Sequence, residues 1–109
     1  MPGLLRTTIR GIFLDGSRRN LTYQGAEVTF TRQEWDLLAI LFSHPDRFLS
    51  AQEILRLGWT AGEHAAEQLR TYVHRLREKL DPLGLPCQLL SRHGQGYCLL
   101  FAWALSRPG

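Results

Sequence analysis

Four basic side chains, Arg70, Arg75, Arg77 and Lys79, fall within ten residues that hold a single acid, Glu78. On a helix that concentrates positive charge into under three turns. Arginine carries a planar fork of donors that pairs two-to-two with phosphate oxygens or with the edge of guanine, so the cluster has the chemistry for nucleic acid. A plain solvated helix face is the competing reading. Thr71, Tyr72 and His74 lie among these residues as further hydrogen-bonding groups. Arg92 and His93 form a second basic point beside Gly94-Gln95-Gly96.

Other chemistry finds less support. The acids have capping or surface explanations, and no general acid–base pair emerges. Gly94-Gln95-Gly96 lies between two strand-like runs and opens no helix, so it is not a phosphate loop. The four histidines are scattered and neither cysteine has a ligand at zinc spacing. A hairpin turning at residues 93–96 puts Cys98 opposite Leu90, not Cys87, which argues against a disulfide. Neither catalysis nor a metal or cofactor is expected.

The elements that must position the basic cluster can be read from periodicity. Thr7, Thr8, Ile9, Ile12, Phe13 and Leu14 are strand formers, followed by the turn signal Asp15-Gly16-Ser17. Asn20–Tyr23 and Glu27–Phe30 flank a turn at Gln24-Gly25, giving an antiparallel sheet of three or four strands over residues 5–30. Thr31-Arg32-Gln33-Glu34 and Ser50-Ala51-Gln52-Glu53 are both capping boxes. The first opens a helix with Trp35, Leu38, Leu41 and Phe42 on one face, ended by His44-Pro45; the second opens a shorter helix closing near Gly58. Phe48-Leu49 reads as a short strand between them. A third helix runs from about His64 to Leu80, with Leu69, Val73, Leu76 and Leu80 on its apolar face and the basic cluster on the others. Asp81-Pro82-Leu83-Gly84 stops it. Residues 87–101 form a last hairpin, and the apolar residues 102–105 are expected to pack on the sheet or meet a partner.

The chain has 109 residues, 44% hydrophobic and 21% charged. That fits one domain over 1–109, with a helical core at 31–81. No apolar run approaches the roughly 20 residues of a membrane span, and the first residues lack a secretory pattern. The protein is therefore expected in the cytoplasm, without membrane association. The net charge of +3, almost all of it arginine, is compatible with nucleic acid without requiring it.

The order of sheet, three helices and glycine-tipped hairpin resembles the winged helix-turn-helix effector domain of the OmpR/PhoB type, an α+β fold. The local matches are residues 34–41 in the first helix, Phe48-Leu49-Ser50 entering the second, Val73-His74-Arg75-Leu76-Arg77-Glu78-Lys79-Leu80 in the recognition helix, and Gly94-Gln95-Gly96-Tyr97 at the wing. The resemblance implies a transcription regulator whose helix 64–80 enters the major groove of double-stranded DNA while the wing, 91–97, meets the minor groove. On it, the contacting residues are Arg70, Thr71, Tyr72, His74, Arg75, Arg77, Arg92 and His93. It also implies RNA polymerase as a partner of the loop 60–63, although a mere connector is the favoured reading of that short loop. A homodimer on tandem half-sites is implied too, with the apolar tail as its candidate contact. The chain departs from the family at four places: Glu67 stands where arginine is usual, Arg70 replaces an aspartate, Tyr72 a histidine, and His93 the wing arginine. These departures point to an altered target, or to a winged-helix module that docks protein with DNA binding weakened or lost.

Overall fold

The computed structural model describes residues 6–60 and 62–101. The expected packing of the tail at 102–105 lies outside them. Strands β1 (Arg6–Ile9), β2 (Ile12–Asp15), β3 (Asn20–Tyr23) and β4 (Ala26–Thr29) form an antiparallel meander in the order β1-β2-β3-β4. Two of its turns hold only two residues, Arg10-Gly11 and Gln24-Gly25, and all four have positive φ (51°, 83°, 48° and 85°). That geometry matches the right-handed twist of the flanking strands. Asp15 shapes the middle turn by accepting hydrogen bonds from the Ser17 amide (3.1 Å) and hydroxyl (2.7 Å). Along β2 and β3, Ile12, Leu14 and Leu21 are completely buried.

Both capping boxes close as expected, Thr31 with Glu34 at the head of α1 (Arg32–Ser43) and Ser50 with Glu53 at the head of α2 (Ala51–Arg56). Helix α1 is buried further round than one stripe requires. Besides Trp35, Leu38, Leu41 and Phe42, it buries Leu37, Ala39 and Ile40, the pattern of a helix enclosed by the core. Helix α3 (Ala65–Leu80) buries Leu69, Val73, Leu76 and Leu80, as its period predicts. A 3-10 turn, Asp81–Leu83, ends at Gly84 in the left-handed conformation. Strands β5 (Cys87–Arg92) and β6 (Gly96–Phe101) complete the α+β winged-helix architecture. Leu90 faces Cys98 and Cys87 faces Phe101, the register read from the sequence, and both thiols are free. Burial, with the Asp46 carboxylate adding to it, pushes the Cys87 thiol up to about 12, far from a reactive thiolate. No helix among the described residues is long and apolar enough to cross a membrane.

Lys79, expected on the solvated basic face, instead joins three elements. Its Nζ donates to the Glu34 Oε1 at 2.6 Å and to the Thr29 carbonyl at 2.9 Å, and it lies 5.2 Å from the centre of the Phe30 ring. The end of α3 is thereby tied to the start of α1 and to β4. Glu34 is only 4% exposed. Burial alone would raise its carboxyl, but hydrogen bonds from Lys79 and Thr31 outweigh burial and hold it below the usual carboxylate value. Lys79→Met leaves that carboxylate buried without its cation and is expected to cost about 2 kcal/mol, or roughly 10 °C in melting temperature. Because the folded-state value is depressed, this stabilisation exists above the unfolded value of 4.5 and disappears as pH falls through the folded one. Thermal melts of both proteins across pH check this: the gap must be widest near neutrality and close in acid.

Candidate nucleic-acid interface

Helix α3 starts without a side-chain cap at His64. It relies instead on the strong helix formers Ala65, Ala66, Glu67, Gln68 and Leu69 and on the packing of its apolar stripe. Its outward surface carries Glu67, Arg70, Thr71, His74, Arg75 and Glu78, all exposed. Spacings of three and four place 67, 70, 71, 74, 75 and 78 on neighbouring turns of one face. Two weak pairs sit at its rim, His64 with Glu67 at 3.8 Å and His74 with Glu78 at 3.6 Å. Arg70 has no ion pair among the described residues.

Tyr72 is half-buried and points into the junction of the three helices. Its hydroxyl donates to the Gln33 Oε1 at 2.5 Å, and its ring meets Trp59 edge-to-face at 5.4 Å between centroids. The Gln33 side-chain amide donates to the Thr60 carbonyl at 3.1 Å, while the Trp59 indole N–H donates to the Gln33 carbonyl at 2.9 Å. Gln33 was not visible as a site residue in the sequence, since nothing in a capping box reveals that its third member will bind three partners. The result is a stack with Trp59 at its base, Tyr72 above it, and the Arg75 guanidinium 4.9 Å over the Tyr72 ring. Stacking holds the Arg75 charge at the surface in a defined place, which lowers the entropy lost when it meets an anion.

The wing is footed on the α1–α2 connector. Leu49 and Tyr97 exchange backbone hydrogen bonds of 2.8 and 2.9 Å, so the short strand expected at Phe48-Leu49 is a single bridge. The Asp46 amide donates to the Leu99 carbonyl, and the Asp46 carboxylate accepts from the Phe101 amide, both at 2.9 Å. At the tip, the Arg92 guanidinium lies 4.8 Å over the Phe48 ring and His93 is exposed. Phe48 as a platform for Arg92 is a further residue whose role emerges only once the connector and wing are side by side.

A cleft of about 470 Å³ lies between α3 and the wing, lined on one side by Arg70, Val73 and Arg77 and on the other by Ser91, Arg92 and His93. Four of the eight residues expected at the interface line this cleft, Arg70, Arg77, Arg92 and His93, while Thr71, His74 and Arg75 are exposed on the outward face of α3. The eighth, Tyr72, supports the surface from beneath. Arg77 differs from its neighbours: its Nε donates to the Leu89 carbonyl at 2.9 Å and its terminal nitrogen donates to the Ser91 hydroxyl.

The family model described as "Transcriptional regulatory protein, C terminal" matches residues 25–99. Protein RcaC of Microchaete diplosiphon is 33% identical over 90 residues, covering 81% of this chain and 14% of that protein. The response regulator ArlR of Staphylococcus haemolyticus is 33% identical over 92 residues, covering 84% of this chain and 42% of its own length. The chain thus spans less than half of either relative. Among solved structures, the DNA-binding domain of the response regulator AdeR, in complex with an intercistronic region, superposes with a TM-score of 0.74 at 18% identity, covering 87% of this chain and 99% of that one.

Proposed function

The chain belongs to the family of transcriptional regulatory protein C-terminal domains, and from that premise we propose that it regulates transcription by binding double-stranded DNA. The observation that carries this reading is the cleft between α3 and the wing, where Arg70 and Arg92 face each other across a space open to an anionic backbone. Helix α3 lies in the major groove, with Arg75 presented on its aromatic stack. The wing, with Arg92 and His93, reaches the adjoining minor groove. Glu67 at the head of α3 disfavours phosphate and suits the amino group of cytosine. On the same reading the protein works in the cytoplasm, where bacterial DNA lies. Contact of the loop 60–63 with RNA polymerase, and pairing of copies on tandem half-sites, extend the same reading. Nothing in it asks for catalysis.

The test is fluorescence anisotropy of a labelled random-sequence duplex. Affinity is expected to fall by about 10³-fold between about 50 and 200 mM salt, the response to neutralising some six phosphates. Arg70→Ala and Arg75→Ala are each expected to weaken binding by about tenfold and to reduce the salt slope by about one. Binding indifferent to salt, or absent altogether, abandons DNA in favour of a protein-docking module.

A further inference from the structure

We infer that Arg77 acts on DNA through the wing: it is a positioning residue that fixes the distal half of the hairpin against α3, and it makes no phosphate contact of its own. This rests on the DNA-binding reading above, and goes beyond it by separating one arginine of the basic cluster from the rest.

The base of the hairpin is well held. Leu89, Leu99 and Phe101 are buried in the core, and Asp46 and Leu49 bond the backbone of β6. Beyond Leu89 that support runs out on the β5 side, where Ser91, Arg92 and His93 are exposed. Among the described residues β5 pairs only with β6, so its other edge carries carbonyls with no described strand to receive them. Arg77 meets that edge. It comes from the half-buried flank of α3 and gives one donor to the Leu89 carbonyl and another to the Ser91 hydroxyl, two residues along the same strand edge. The planar fork is what makes the double contact possible; a lysine at 77 presents one compact cation and serves one acceptor at a time. The second distal hold is Arg92 on Phe48. Between them these contacts set the angle at which the wing tip leaves the body, and hence whether Arg92 and His93 reach a groove while α3 occupies its neighbour.

Arg70 and Arg75 project from the exposed face and have no backbone partner among the described residues, whereas Arg77 has one. Arg77 differs from both in geometry, so it must differ from both in a mutant cycle. Removing an independent contact multiplies with removal of the wing-tip cations; removing a positioning residue does not, because the contacts it positions are already gone.

The experiment has two parts, both on the full chain. In the protein without DNA, backbone relaxation by NMR reads the wing directly. Arg77→Ala and Ser91→Ala are expected to lower the order parameters of residues 93–96 to below about 0.6, with the β6 base unchanged; a wing as rigid as in the parent overturns the bracing, whatever the protein binds. With the random-sequence duplex, Arg77→Ala is expected to weaken binding about tenfold in the parent and less than twofold in an Arg92→Ala/His93→Ala background. Ser91→Ala, which removes no charge, is expected to weaken it severalfold and thereby show the effect without loss of a cation. A tenfold loss from Arg77→Ala in both backgrounds, with Ser91→Ala silent, makes Arg77 an ordinary phosphate contact and overturns the proposal. If the parent fails to bind the duplex while the relaxation result holds, the DNA reading fails and the brace stands.

Discussion

Gly96→Ala is expected to destabilise the protein by about 3–5 kcal/mol, from two additive physical sources. Gly96 has φ of 106°, a conformation that costs a side-chain-bearing residue on the order of 1–3 kcal/mol. A Cβ there also comes within 2.0 Å of the Leu49 carbonyl oxygen, 2.6 Å of its carbon and 2.8 Å of the Ser50 Cα. All three are backbone or Cα atoms, so no rotamer change relieves the overlap. The wing must lift from Leu49, losing the paired 2.8 and 2.9 Å hydrogen bonds, each contributing about 1 kcal/mol. Gly94→Ala is the control. It shares a positive φ of 81° but its Cβ meets nothing within 4 Å, so only the conformational cost of about 1 kcal/mol remains. Urea denaturation of the two variants checks the comparison; equal losses from both deny the bridge its anchoring role.

Trp59→Ala is expected to cost about 4 kcal/mol, within the range for deleting a fully buried aromatic ring. The indole is 0% exposed, donates to the Gln33 carbonyl and packs edge-to-face with Tyr72. Its loss opens a cavity beneath the Arg75 platform and leaves the Gln33 carbonyl without its donor. Trp59→Phe keeps much of the volume but not the donor, and is expected to lose about half as much. The measurement is again equilibrium unfolding, read by circular dichroism because the substitution removes a fluorophore. A loss below about 1 kcal/mol for Trp59→Ala means that the three-helix junction closes over the gap and the stack does not depend on its base.

The parts of this molecule that were legible in the sequence are those whose partners lie a few residues away. Thr31 and Glu34 announce each other at a separation of three, as do Ser50 and Glu53. The stripe Leu69, Val73, Leu76 and Leu80 is set by the helical repeat alone. The opposition of Leu90 and Cys98 follows from counting outward from the turn. Arg10-Gly11 was harder, because an arginine with φ of 51° carries none of the Asn-Gly or Asp-Gly signature of such turns. Nor does composition reveal that Ile40 faces protein as fully as Leu41 does, since enclosure of α1 depends on what surrounds it.

The basic cluster illustrates the same limit more sharply. Arg70, Arg75, Arg77 and Lys79 look equivalent as charges on a helix. Only the fold distinguishes them, by bringing Glu34 to Lys79 from 45 residues away and the Leu89 carbonyl to Arg77 from 12. Two of the four cations, Arg77 and Lys79, donate hydrogen bonds to the protein itself, so the exposed positive surface is narrower than the count of basic residues suggests. It is also more directed, because Arg75 is held by its ring partner.

The footing of the wing has a consequence for how the chain tolerates changes in length. Asp46 is bonded to Leu99 and Phe101, and Leu49 to Tyr97, so the connector and β6 run past each other in a fixed antiparallel step. A residue inserted between Asp46 and Leu49 forces one of the two anchors out of register, and a slip of one in a strand turns its side chains to the opposite face. Among the described residues the turn at 93–95 has no such backbone tie to the body; the nearest hold is Arg92 over the Phe48 ring. Insertions there lengthen the finger without moving the knuckle. Variation in reach among chains of this architecture should therefore collect at the tip, while the short connector keeps its length.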